Sequence, residues 1–129
     1  RGASHPDVCM EFNRLEKDIF KWLAENTEDY RLREQLLRAS LKNRKYTGAG
    51  FFVKLSVPAD TPRITEDIGD INAIPGPFID SSSLESSADT ALFIKDGIAK
   101  ALEIFAYGDS FPEVLENYLL INLSRNNSV

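Results

Sequence analysis

The feature that most constrains this fold is Asp96-Gly97, a dipeptide that stands between two apolar runs at residues 91–95 and 98–107. An Asp-Gly pair favours the two-residue turn whose backbone twist matches the twist of two paired strands. The flanking runs are rich in Ile, Leu and Phe, and they are long enough to form strands. The sequence therefore predicts an antiparallel hairpin late in the chain, and with it a sheet.

The first third of the chain has the periodicity of helices instead. Apolar residues that recur every three or four positions predict a helix from about residue 8 to Glu25. Asn26 and Thr27 interrupt the pattern, and acidic residues then suit the first turn of a second helix from about residue 28 to Leu41. Its apolar residues fall on two opposite sides, so we expect this second helix to be covered on both faces.

The middle and the end of the chain contain further strand patterns. Strict alternation over residues 51–57 predicts a strand, and the glycines just before it predict a bend or bulge. Residues 68–75 predict a second, short strand that ends at a proline. A capping box predicts a short helix over residues 110–117, and residues 118–123 fit either a strand or a continuation of that helix.

Helices followed by strands with short connections indicate an α+β fold. An N-terminal antiparallel helical hairpin is expected to pack on a mainly antiparallel sheet of about four or five strands. The length of 129 residues and the apolar content of 43% suit a single domain over residues 1–129. Residues 1–9 are either native or a remnant of an expression vector, because Met10 opens a stretch that looks like a natural start.

The chain holds one histidine and one cysteine, His5 and Cys9. Residues 10–129 therefore lack the side chains most often used as zinc ligands, as proton shuttles at neutral pH and as thiolate nucleophiles. We predict no catalytic residues, no metal site and no cofactor. The sequence contains neither a run of about 20 apolar residues nor an export signal, so we expect no membrane contact and a cytoplasmic location.

The formal net charge of −5 combines two regions of opposite sign. Residues 31–45 carry six basic side chains and one acidic one, whereas residues 60–116 carry twelve acidic and three basic side chains. An acidic second half disfavours nucleic acid and favours a cationic protein as partner. The acidic residues in predicted loops and strand ends form the expected binding face: Asp67, Asp70, Asp80, Glu85, Asp89 and Asp109.

A basic stripe runs along the predicted second helix and past its end. Arg31, Arg38 and Lys42 lie on this stripe together with Gln35. We interpret it as a solvated edge between two packed faces, and a contact with an anion or a partner is the alternative. If an apolar face of this helix is exposed, a second copy of the chain would pair with it, which makes a homo-oligomer a further expectation.

Glu103 is unusual because it is a carboxylate inside an apolar strand. Alternation places it on the same side as Phe105 and Tyr107, where a buried charge needs a partner. A bond to a helix amide or to an arginine of the second helix is the favoured interpretation. The alternative is a sheet-lined pocket around Tyr46, Glu103 and Tyr107, which would make the chain a small-ligand-binding domain or a small enzyme.

Three stretches of the chain carry a family resemblance. The chain contains, in order, Arg44-x-Tyr46-Thr47-Gly48-x-Gly50-Phe51-Phe52, then Asp96-Gly97-x-x-x-x-Leu102-Glu103-x-Phe105-x-Tyr107-Gly108, then Phe111-Pro112. This pattern resembles one in small uncharacterised bacterial proteins, of which some look like immunity proteins of contact-dependent or polymorphic toxin systems. The resemblance implies an α+β fold without a required cofactor, and it carries over no catalytic residues. It leads us to predict a non-enzymatic protein-binding module, in the form of an immunity-type inhibitor that occludes a basic toxin surface with an acidic face.

Overall fold

The computed structural model of this protein describes residues 11–65, 71–108 and 110–122. Within them, helices α1 (Arg14–Asn26) and α2 (Tyr30–Arg38) precede seven strands. The strands are β1 (Ser40–Tyr46), β2 (Gly50–Ser56), β3 (Ile71–Pro75), β4 (Phe78–Asp80), β5 (Ala88–Lys95), β6 (Ile98–Ala106) and β7 (Leu119–Ile121). They form one antiparallel sheet in the order β1-β2-β6-β5-β4-β7, and β3 also pairs with β5. The predicted α+β class is confirmed, and the sheet has more strands than the four or five expected.

Helix α1 begins at Arg14 because Asn13 caps it. The Asn13 side chain accepts a hydrogen bond from the Glu16 amide, and the Glu16 carboxylate accepts one from the Asn13 amide. Such a capping box satisfies two of the backbone amides that lack a partner at the start of a helix, and it therefore fixes the N-terminal end of α1. Residues 11–13 are not helical, so the earlier start that the periodicity predicted is wrong. Residues 1–10, and the question of whether the first nine are native, lie outside the described residues.

Strand β1 occupies residues that the sequence assigned to a helix and a loop. Helix α2 ends at Arg38 rather than near Leu41, and the extended backbone of Ala39 leads the chain into the strand. β1 forms the edge of the sheet, where it pairs with β2, and most of its side chains are exposed. An edge strand with polar residues on both faces shows no apolar alternation, which explains why the periodicity failed here.

Strand β2 confirms the strand predicted over residues 51–57. The side chains on its inner side are buried, as the alternation requires: Phe51, Val53 and Leu55. The turn that joins β1 to β2 contains Gly48, whose φ of 89° favours glycine. Gly50 lies so close to β6 that a Cβ atom there would overlap the backbone carbonyl of Ile104. The two glycines thus serve a tight turn and a close approach between strands.

The hairpin predicted at Asp96-Gly97 is confirmed. β5 and β6 flank this turn, and its two residues have positive φ values of 54° and 77°. The short strand predicted to end at Pro75 is confirmed as β3. Residues 68–70, which belonged to the same prediction, lie outside the described part of the chain.

The short helix predicted over residues 110–117 is wrong, because no helical turn forms in this described segment. Phe111 is 1% exposed, and its ring packs edge-on against Phe51. Its amide also donates a hydrogen bond to the Gly48 carbonyl. These long-range contacts of one large ring outweigh a capping pattern that stabilises a helix by only about 1 kcal/mol. Of the two interpretations of residues 118–123, the strand is correct for Leu119–Ile121, which form β7, and residue 123 lies outside the described residues.

The core lies between the two helices and the inner face of the sheet. The helices contribute Leu15, Ile19, Phe20, Leu23, Leu32 and Leu36, and the central strands contribute Val53, Leu92, Ile94, Leu102 and Ile104. The second apolar side of α2 is not covered by any described residue. Tyr30 and Leu37 on that side are 62% and 68% exposed, so the prediction that both faces are covered is wrong.

Two buried polar side chains connect the helices to the sheet. Glu16 of α1 is 1% exposed and forms a bidentate ion pair with Arg44 of β1, in which both N–O distances are 2.6 Å. Gln35 of α2 is fully buried. Its amide nitrogen donates to two loop carbonyls and its oxygen accepts from the Ala99 amide, at 2.8 to 2.9 Å. Gln35 therefore joins α2 to β6, and the prediction that it lies on a solvated edge is wrong.

Candidate binding surface on the open face of the sheet

Alternate side chains of the central strands point away from the helices. The strand register places Phe52 of β2, Glu103 of β6 and Ala91 of β5 in one row across the sheet. The neighbouring rows add Lys54, Ala101 and Phe93 on one side and Phe105 and Asp89 on the other. Both described helices pack on the opposite face of the sheet. We call the surface formed by these rows the open face.

Aromatic rings lie on the open face in two groups. In the first, the ring centres of Phe52 and Phe93 are 6.3 Å apart. In the second, the Tyr107 ring lies 5.7 Å from that of Phe105 and 6.3 Å from that of Phe78. Each of these rings is partly exposed to solvent. None of these rings belongs to the hydrophobic core of the described residues.

Glu103 lies between these rings, half-buried beside Phe52 and two residues from Phe105 along its own strand. Within residues 11–65, 71–108 and 110–122, no group donates a hydrogen bond to its carboxylate or forms an ion pair with it. β6 turns this side chain away from the helices, so the predicted bond to a helix amide or arginine does not form. A half-buried carboxylate without a partner of its own is free to accept a cation from another molecule.

Of the six acidic residues predicted to form a binding face, three lie at one end of the open face. Asp89 is on the open face, where it accepts a hydrogen bond of 2.8 Å from the Tyr107 hydroxyl, and this bond raises the pKa of Tyr107. Asp80 and Glu85 are exposed at the end of β4 and in the loop that leads to β5. The remaining three, Asp67, Asp70 and Asp109, lie outside the described residues.

The open face has an acidic and a basic side. Lys45 and Lys54 lie on β1 and β2 in the register that brings them to this face. Asp89 lies on β5 and Asp80 on β4, toward the opposite edge of the sheet. Glu103 on β6 is between the two groups. The acidic side of the open face therefore combines aromatic rings with carboxylates.

The three residues of the predicted pocket do not come together. Tyr46 is on the inner side, where its ring lies 5.1 Å from that of Phe51 and its hydroxyl donates to the Phe111 carbonyl. Glu103 and Tyr107 share the open face instead, as the alternation predicted. Tyr46 thus supports the core and the segment after β6, while the other two contribute to the candidate surface.

Arg31 and Arg38, which the sequence offered as an anion contact, form ion pairs within the chain. Arg31 binds Asp29 at 2.9 Å, which lowers the pKa of Asp29. Arg38 binds Asp60 at 3.0 Å. Lys42 is exposed on β1 and lies on a different element from the two arginines. The structure therefore assigns the arginines to intramolecular contacts of α2 and does not assemble the three into one anion site.

In the described part of the chain, no helix is long and apolar enough to cross a membrane. The same residues contain no group of three or more His, Cys, Asp or Glu side chains that could hold a metal ion. No protein-family model, no curated protein and no solved structure matches this chain.

Proposed function

We propose that this protein is a non-enzymatic protein-binding module that binds a cationic protein through the open face of its sheet. The observation that carries the proposal is the half-buried Glu103, which has no partner among the described residues and lies among partly exposed aromatic rings. An arginine or lysine of a partner would find a counter-charge and an aromatic ring at the same place. Both contacts strengthen when the partner excludes water.

The aromatic rings supply the apolar part of such an interface. Phe52 and Phe93 form one hydrophobic area, and Phe105, Tyr107 and Phe78 form another on the acidic side. Aromatic side chains bury a large area at a small cost in conformational entropy, and they are enriched in protein interfaces. A row of such rings that no described element covers is a mark of an interaction surface.

The acidic residues around the rings would guide the partner before contact. Asp80, Glu85 and Asp89 lie at one end of the sheet, next to the aromatic group that contains Tyr107. Carboxylates at the rim of an interface mainly increase the rate of association with a cationic protein and set its orientation. The carboxylate inside the ring cluster, by contrast, would be desolvated in the complex and would hold the partner in place.

The specific form of this proposal is an immunity-type inhibitor that acts in the cytoplasm and occludes a basic toxin surface. It rests on the family resemblance together with the acidic side of the open face. A toxin that cleaves nucleic acid needs a basic surface to bind phosphates. An inhibitor with carboxylates on a rigid sheet would compete for that surface without performing any chemistry.

Site-specific photo-crosslinking tests this function. With p-benzoyl-phenylalanine in place of Phe105 or Phe93, irradiation of cells of the native host is expected to give one discrete protein adduct. The adduct should be a protein of net positive charge, and it should disappear when the same chain also carries Glu103→Lys. The control places the same photoreactive residue at Val114, which is 72% exposed and follows β6 outside the open face.

Three results would contradict the proposal. The first is the same adduct from Val114 and from Phe105, because the contact would then not be specific to the open face. The second is an adduct of two copies of this chain, which would make the face a homodimer interface. The third is the absence of any adduct from either open-face position.

A further inference from the structure

A second candidate surface lies in the helical layer, on the side of the sheet away from the open face. An open groove of about 620 Å³ lies between α1 and α2. Its floor and walls are largely apolar and consist of Phe12, Phe20, Ala24, Leu36, Leu37 and Ala39. Leu37 is 68% exposed at the edge of this groove, so a large apolar side chain stands in water there. Such a combination of an apolar floor and an exposed leucine is typical of grooves that accept a helix.

The rim of the groove is positively charged. Lys17 and Lys21 lie one turn apart on α1, and Arg33 lies on α2. Among the described residues that line the groove, Glu25 is the single acidic one. Arg33 donates a hydrogen bond to a backbone carbonyl, and no carboxylate among the described residues pairs with any of the three cations. The rim therefore carries an excess of uncompensated positive charge on both sides of an apolar floor.

We infer that this groove binds an amphipathic helix of a partner protein whose flanks carry aspartate or glutamate. The apolar face of such a helix would cover Leu37 and the groove floor, and its acidic flanks would meet Lys17 and Lys21 on one side and Arg33 on the other. A second copy of this chain fits less well, because the three cations of one copy would then face the same three cations of the other and repel them. The groove is separate from the open face, so this inference does not depend on the function proposed above.

A defined peptide provides the probe. We would use an amphipathic peptide of about 18 residues, roughly five helical turns, with leucines on one face and glutamates on both flanks. A matched peptide carries lysine in place of every glutamate. Fluorescence anisotropy with the full chain is expected to show that the glutamate peptide binds at least about tenfold more tightly at low salt, and that added salt reduces the difference.

Variants of exposed residues locate the binding. Leu37→Asp is expected to lower the affinity for the glutamate peptide by about tenfold or more. The double variant Lys17→Glu/Lys21→Glu should bind the lysine peptide more tightly than the glutamate peptide, which reverses the preference of the unchanged chain. Leu119→Asp is the matched control, since Leu119 on β7 is 67% exposed and does not line the groove. Its affinity for the peptide should equal that of the unchanged chain.

Three outcomes would overturn the inference. Equal binding of the glutamate and lysine peptides would remove the role of the cationic rim. An equal effect of Leu37→Asp and Leu119→Asp would place the peptide elsewhere. Light scattering that shows a dimer of the unchanged chain, dissociated by Leu37→Asp, would make a second copy the occupant of the groove.

Discussion

Replacement of Gly50 with alanine is expected to lower the free energy of unfolding by more than about 3 kcal/mol, or to prevent folding. The added methyl group would overlap the carbonyl oxygen and carbon of Ile104. β6 cannot move aside without losing its pairing with β2. The adjacent pair of Phe51 and Ile104 is buried, so the strain would extend into the core. Urea unfolding followed by the fluorescence of Trp22, the one tryptophan of the chain, measures the loss.

Gly48→Ala is the matched control for this prediction. A Cβ atom at Gly48 would have no atom within 4 Å, so its cost arises only from the positive φ of 89°. That cost is about 1–2 kcal/mol. If Gly50→Ala were no more destabilising than Gly48→Ala, β2 and β6 would not approach each other as closely as the structure shows.

Glu16→Ala is expected to destabilise the protein by about 3–5 kcal/mol, because it removes one partner of a buried ion pair. The Glu16 side chain is 1% exposed and that of Arg44 is 21% exposed, so the guanidinium left behind would be only weakly hydrated. The same substitution also removes the acceptor for the Asn13 amide in the capping box of α1. The expected observable is a large decrease in the urea midpoint, again followed by tryptophan fluorescence.

Two further variants separate the ion pair from a simple loss of packing. Glu16→Met combined with Arg44→Met is expected to recover most of the lost stability, since neither charge is then buried alone. Arg38→Ala breaks the exposed pair with Asp60 and should cost less than about 1 kcal/mol. Equal destabilisation by Glu16→Ala and Arg38→Ala would show that the buried pair has no special importance.

Local sequence patterns predicted those strands in which buried and exposed residues alternate. Phe51, Val53 and Leu55 of β2 are buried in strict alternation, and Asp96-Gly97 forms the turn between β5 and β6. In these elements, the residue types alone distinguish the inner from the outer side. The same signal correctly placed Glu103 on the side of Phe105 and Tyr107.

Other elements depend on contacts that no local pattern contains. β1 is polar on both faces, and its strand conformation follows from pairing with β2 and from the bond between Arg44 and Glu16. Segment 110–117 has the pattern of a helix start, but the burial of Phe111 determines its path. Gln35 has the polarity of a surface residue, and only the packing of α2 against β6 gives its amide three buried partners.

The open face could be predicted only in part from the sequence, because it too depends on contacts between distant parts of the chain. The sequence indicated that Glu103 shares a side with aromatic residues, but it could not show which face of the sheet the helices cover. It therefore could not show that this carboxylate has no partner among the described residues. The aromatic side chains at the outward positions of β2 and β5, Phe52 and Phe93, were the available signal, because a group of neighbouring apolar side chains at the surface, unlike a single one, marks an interaction site.

In the proposed function, Glu103 on the open face binds a cation of the protein partner. Calorimetric titration of the protein captured by crosslinking at position 105 tests it most directly. Glu103→Lys is expected to weaken the affinity by at least about 30-fold, whereas Glu85→Lys, at an exposed loop position, should weaken it by less than about threefold. An equal loss for both variants, or no loss for Glu103→Lys, would contradict the claim.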